Sequence, residues 1–220
     1  MNNRSRFTKN FKPNVQVGAG HYDFAKYMGK TRWVSVWHQL DEILGRTPEN
    51  VLEVGTGSGL LGLLLRHYGV NYVSVDIDPA LNPDFVASVT DLPVPDNTFS
   101  VVGCFQVLEH LPYDLFASAL SEIARVANDR VIISLPDAYP LWRYMAHLPK
   151  LGTVSTSLPR PWWQLRPHVF DGEHYWEINK RGYPLQKIVS DIEAAGLSVE
   201  RTFRVFENSY HRFFVCKPDG

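Results

Sequence analysis

The sequence predicts an α/β domain built on a mostly parallel sheet with helices on both faces. Two observations carry this. Short apolar runs alternate with segments of helical periodicity. The runs are too continuously apolar for a sheet with one wet face, so helices must cover both sides. The chain has 220 residues, the size of one ordinary domain, and its 45% hydrophobic content is enough to enclose a core.

The elements follow in order. Residues 1–20 read as a loose arm ending in Gly18-Ala19-Gly20, within an N-terminal segment taken to 30. Residues 31–45 place Trp33, Val36, Trp37, Leu40, Ile43 and Leu44 on one helical stripe, stopped at Gly45. Val51–Val54 is a buried strand closed by Gly55. Ser58 is the expected cap of a Leu-rich helix over 58–68. Strands are expected at 71–77, 85–89, 99–105 and 130–135, with an amphipathic helix over 113–127. Residues 184–195 read as a helix with Pro184 in its first turn and Gly196 as its stop. Two strands, 197–206 and 210–217, then form a hairpin around Glu207-Asn208-Ser209, which makes one strand antiparallel. The organisation is one domain over 1–220: arm 1–30, core 48–136, insert 137–183, closing helix and hairpin 184–217.

Composition excludes several classes. With 22 Lys+Arg against 23 Asp+Glu, the chain is not a general nucleic-acid binder. Two cysteines, Cys104 and Cys216, provide neither a disulfide framework nor an all-Cys zinc site, and both fall in predicted strands as core residues. No apolar run approaches the roughly 20 residues that span a bilayer. The polar N-terminal stretch has no apolar signal-type segment, so the cytoplasm is the expected compartment. Charge is uneven. Residues 1–20 hold four bases and no acid, and residues 139–187 hold seven bases and three acids, which leaves −9 on the remainder. Four of six Trp and six of fifteen Pro lie between residues 136 and 176.

The strongest motif is Glu53-Val54-Gly55-Thr56-Gly57-Ser58-Gly59, a glycine turn between a strand and a helix. Glycines there admit positive φ and close approach of a ligand. The second strand ends in Val75-Asp76-Ile77-Asp78, and Asp76 lies where a carboxylate accepts from both hydroxyls of a ribose. A nucleoside-containing cofactor is expected. Gly57-Ser58-Gly59-Leu60-Leu61-Gly62 also fits a dinucleotide fingerprint, which keeps a nicotinamide-dependent oxidoreductase and a non-catalytic cofactor-binding protein open. Glu53 argues the other way, because an acid before the turn repels a diphosphate and suits a cationic end.

Further on come Asp91-Leu92-Pro93-Val94-Pro95-Asp96-Asn97-Thr98-Phe99-Ser100-Val101-Val102 and Gln106-Val107-Leu108-Glu109-His110-Leu111. With the glycine turn and Asp76, these resemble, in order over about residues 48–136, the class I S-adenosylmethionine-dependent methyltransferases, nearest to the small-molecule, ubiquinone-biosynthesis-like group. The resemblance implies a Rossmann-like seven-stranded sheet, order 3-2-1-4-5-7-6, with strand 7 antiparallel. It implies S-adenosyl-L-methionine as cofactor and S-adenosyl-L-homocysteine as product. By motif position, Glu53, Gly55, Thr56, Gly57 and Gly59 would meet the cofactor's methionine end. Asp76 would hold the ribose, Ile77, Asp91 and Leu92 the adenine, and Gln106 and Val107 would flank the sulfonium. Ser100 departs from the family's usual Asp, at a position that supports the strand.

Methyl transfer to a hydroxyl is helped by a base titrating near neutrality, so His110, His168 and His174 are the candidate bases. The insert is the expected substrate cap, with Glu109, Trp162, Trp163, Tyr175 and Trp176 as candidate acceptor contacts. The spacing of His168, Asp171, Glu173 and His174 matches no strong metal pattern, so no metal is expected. The expected partner is a small or medium-sized acceptor, O-methylated and anionic, given the two basic segments. The sequence does not specify an oligomeric state.

Overall fold

The computed structural model describes residues 14–219. The first part of the arm, including Arg4, Arg6, Lys9 and Lys12, lies outside them. A short helix α1 (Phe24–Tyr27) precedes α2 (Lys30–Leu44). The core alternates β1 (Asn50–Val54), α3 (Leu60–His67), β2 (Asn71–Asp76), β3 (Phe85–Val86), β4 (Phe99–Phe105), α4 (Phe116–Val126) and β5 (Ala127–Pro136). A hairpin of β6 (Leu141–Leu148) and β7 (Gly152–Pro159) follows, then α5 (Leu185–Ala194), β8 (Leu197–Arg204) and β9 (His211–Pro218).

The main sheet runs β3-β2-β1-β4-β5-β9-β8, and β9 pairs antiparallel with β5. This is the expected 3-2-1-4-5-7-6 order, since β8 and β9 are the sixth and seventh strands of that sheet. Along β1, Leu52 and Val54 face one side and Val51 the other, as the two-residue strand period requires. On the first side α4 buries Phe116, Leu120 and Ile123, and α5 buries Ile188 and Ile192, each set at helical spacing. On the second side α2 and α3 bury Ile43, Leu61 and Leu65. Each such side chain contributes roughly 1.5–3 kcal/mol by leaving water. Cys104 and Cys216 are fully enclosed core residues. Ser100 takes the expected supporting role. Its hydroxyl donates to Asn50 O at 2.7 Å, and the Asn50 side chain answers at Ser100 N at 2.7 Å, tying β1 to β4.

Three expectations change. Ser58 does not cap α3; Gly59, in the left-handed region, occupies the cap with no side-chain hydrogen bond. The third strand is only Phe85–Val86, because the chain leaves the sheet edge there. The insert contains a β-hairpin, with Trp142 opposite Leu158, Tyr144 opposite Thr156 and Ala146 opposite Val154. Alternation around Pro149-Lys150-Leu151-Gly152 carried that signal, and the density of Pro and Trp obscured it. No helix among the described residues is long and apolar enough to cross a membrane.

Candidate functional site: a cavity over the glycine turn

A partly open cavity of about 190 Å³ lies at the C-terminal ends of β1, β2 and β4, where open α/β sheets place their ligands. The glycine turn forms its floor. Gly55 has φ +85°, and a Cβ there would stand 2.3 Å from Val107 Cγ2, so the turn and the end of β4 interlock only with glycine. Gly55 N donates to Val75 O at 2.8 Å, and Gly59 N donates to Thr56 O at 2.9 Å. Thr56 donates to Asp76 Oδ2 from both its N–H (2.7 Å) and its hydroxyl (3.0 Å), while Asp78 N donates to Asp76 Oδ1 at 2.9 Å. Three of the turn's amides therefore have acceptors inside the protein.

The floor is acidic. Glu53, at the end of β1, accepts a hydrogen bond from the Tyr72 hydroxyl. Burial pushes its carboxyl up to about 8, against the opposing pull of that hydrogen bond. Asp76 and Asp78 complete the acidic side. Among the described lining residues, one Lys or Arg side chain joins them. Arg32 lines the cavity, donates to Tyr27 Oη at 2.8 Å and stacks over that ring at 4.0 Å. Tyr22 packs edge-on against Tyr27, with ring centres 4.9 Å apart. These residues form the outer wall, together with Gln16 and Gln39. Sequence reading missed this wall. The aromatic and basic residues of His21-Tyr22-Asp23-Phe24-Ala25-Lys26-Tyr27 were its available signal.

Glu53, Gly55, Thr56, Gly57, Asp76, Ile77, Gln106 and Val107 all line the cavity. Gly59, Asp91 and Leu92 do not. Gly59 caps α3, and Leu92 is packed in the core with its N–H donating to Glu122 Oε2. Leu81, Ala87, Ser88 and Val89 occupy the place expected of Asp91 and Leu92. The insert contributes no residue to this lining. Trp176 is fully buried between Tyr113 and Phe116, with its Nε1 donating to Leu111 O at 3.2 Å, so it is a core residue and not an acceptor contact. Trp162 is almost wholly exposed on the insert, and Trp163 lies beside Arg160 and Arg166. Tyr175 packs on Phe170 with ring centres 4.6 Å apart.

Of the three candidate bases, only His110 reaches the cavity. Its Nδ1 lies 2.8 Å from Gln16 Oε1 and 3.1 Å from the Glu173 carbonyl. Burial and the neighbouring His174 hold its pKa below the usual imidazole range. The His174 ring sits edge-on to it at 5.0 Å. Burial pulls His174 down, but its bond to Glu177 and the charge of Glu109 outweigh this and raise it. Glu109 is fully buried, and burial pushes it up to about 7. His168 is turned away and bonds His174 O through Nε2 at 2.8 Å. His211 lines the cavity from the far side, held neutral by burial at about 3.

The solved structures similar to this chain share its fold. A 1,6-didemethyltoxoflavin-N1-methyltransferase from Burkholderia thailandensis, solved with S-adenosylhomocysteine, aligns with TM-score 0.60 at 16% identity, over 91% of this chain and 85% of that one. Magnesium protoporphyrin IX methyltransferase from Synechocystis PCC 6803 aligns with TM-score 0.56 at 17% identity, over 94% and 90%. An uncharacterized protein of Methanocaldococcus jannaschii is 31% identical over 85 residues, 36% of each chain, so the match spans about a third of that relative's length. A family described as a methyltransferase domain matches residues 15–200. The chain belongs to this methyltransferase-domain family.

Proposed function

We propose that the protein transfers the methyl group of S-adenosylmethionine to a small or medium-sized anionic acceptor, with O-methylation favoured. The carrying observation is the acidic floor of the cavity. A dinucleotide site needs free turn amides facing a pyrophosphate. Here Asp76 occupies the Thr56 N–H, and the buried Glu53 stands beside the turn. One carboxylate before the glycine turn and a second at the tip of β2 beside it suit a nucleoside with a cationic amino-acid tail.

The residues present fit that group. Glu53 would take its ammonium and Arg32 its carboxylate, while Asp76 would accept from the ribose hydroxyls. Ile77, Leu81, Ala87 and Val89 offer an apolar slot for the base. Gln106 and Val107 flank the position left for the methyl group. The bound cofactor supplies an activated methyl on a sulfonium with a neutral leaving group. The protein's task is then mainly to hold the acceptor in line. His110 lines the cavity on that side, and its Nδ1 faces a carbonyl, so the lone pair of the neutral ring is on Nε2.

The cofactor reading is tested by thermal shift. S-adenosylhomocysteine at about 100 times its Kd should add about 2.7 kcal/mol of stability, and NAD should add none. Stabilisation by NAD alone would replace this reading with a nicotinamide-dependent one. Cofactor binding without methyl transfer to any acceptor offered would mark a non-catalytic binding protein. The ribose assignment is tested by Asp76→Ala. Loss of hydrogen bonds to a charged acceptor, worth about 1.5–3 kcal/mol, should weaken S-adenosylhomocysteine roughly 10–100-fold in calorimetry. Unchanged affinity would remove the assignment.

A further inference from the structure

We propose that Glu109, His110 and His174 form a binding site for a divalent transition-metal cation, zinc, cobalt or manganese, beside the cavity at the His110 side. Cation binding rests on the donor set alone, and only its role toward an acceptor rests on the methyl-transfer reading. One coordinating atom from each of the three residues lies within 4.8 Å of the other two. Glu109 and His110 are brought there by the short 3-10 turn after β4 (Leu108–His110), and His174 comes from the insert, with Tyr175 N bonding Glu109 O at 2.9 Å.

The independent observation is Glu109 itself. It is fully buried, and both of its carboxylate oxygens lack a hydrogen-bond partner among the described residues. A carboxylate so placed is costly to retain without a positive charge or a proton.

The two rings are oriented as ligands. His110 Nδ1 faces the Glu173 carbonyl, which can only accept, so the proton sits on Nδ1 and Nε2 keeps its lone pair. His174 Nδ1 lies 3.2 Å from Glu177 Oε1, and that carboxylate is itself fixed by the Tyr210 hydroxyl at 2.5 Å. Each histidine thus has an outer acceptor on one nitrogen and leaves the other for coordination, the arrangement that fixes the tautomer of metal-bound imidazoles. One imidazole nitrogen from each histidine and an unpartnered carboxylate are thus gathered within 4.8 Å of one another.

Two imidazoles with one carboxylate favour transition-metal ions, zinc and cobalt above manganese, over magnesium or calcium, which prefer oxygen donors. Bonds of about 2.0–2.2 Å require donors about 3.4 Å apart in a tetrahedral site, so a side-chain movement on the order of 1 Å closes the set. Three protein ligands leave a coordination position open, and His110 places it beside the cavity. A cation there would lower the pKa of an acceptor hydroxyl by charge, in place of proton acceptance by His110.

The test is equilibrium dialysis of the full chain against ZnCl2, MnCl2 or CoCl2, with metal counted per chain. One equivalent of at least one ion should bind and raise Tm, and cobalt should give visible d–d absorption. Glu109→Gln and His174→Gln should each weaken binding at least tenfold, and His67→Gln, on the remote end of α3, should not. Metal-free Glu109→Gln should melt no lower than the parent, since it removes an unpartnered carboxylate. If that variant fails to fold, His174→Gln carries the comparison. No stoichiometric uptake of any of the three ions, or uptake that persists in both variants, would overturn the proposal.

Discussion

Asp137→Ala should destabilise the protein by about 3–5 kcal/mol, read as a lowered midpoint in denaturant at unchanged slope. Asp137 follows the end of β5 and is almost completely buried. Its Oδ1 accepts from Tyr139 N and Asn179 Nδ2, each at 2.9 Å. Its Oδ2 accepts from Arg212 Nε at 2.7 Å, and Arg204 Nη1 lies 3.6 Å from Oδ1. Burial lowers the Arg204 pKa, against the opposing charge of Asp137. Removing the carboxylate leaves two largely buried guanidinium groups without their anion, which is the expensive way to break a buried pair. It also frees the start of the insert from β9. A loss under 1 kcal/mol would mean that this network contributes little.

The second large effect is a pH dependence set by Glu53. Its native pKa, about 8, is raised above the unfolded value, first by burial. Between about 4.5 and 8 the native state holds a proton that the unfolded chain has released. Stability from this group is therefore highest below the unfolded pKa, declines as pH rises through that window, and is level above it. Glu53→Gln keeps an acceptor for Tyr72 and has no proton to lose. Its stability relative to the parent should rise across the window, by on the order of 4 kcal/mol at pH 8, in denaturation curves at matched pH. A difference that does not change with pH would assign Glu53 an ordinary titration. A cationic ligand reverses the preference, so S-adenosylmethionine should displace the proton and bind more tightly as pH rises toward 8. The variant should lose that slope.

The fold was legible because its information is local. Apolar runs such as Val51–Val54 and RVIISL, with the turn at Gly55, state strand and strand end within a few residues. The floor of the cavity was legible for the same reason, since Glu53 and Asp76 sit at strand tips whose positions follow from the strands. The outer wall was not. Tyr22, Tyr27 and Arg32 precede the first strand and reach the cavity only through a tertiary return that no periodicity records. Trp176 was misplaced for a related reason. Trp serves an exposed cap and a buried core equally well, and its contacts with Tyr113 and Phe116 span about sixty residues of sequence. The grouping of His174 with Glu109 has the same long-range origin.

The wall over the glycine turn separates two properties that share one domain. A side chain at Gly57 would meet Tyr22 Cε1 at 3.3 Å, so the first stretch of the chain rests directly on the turn. Yet every strand of the main sheet begins at or after Asn50. Architecture and enclosure are therefore encoded in different stretches of sequence. Changes at Gln16, Tyr22 or Tyr27 alter the wall of the cavity without touching a strand of the main sheet.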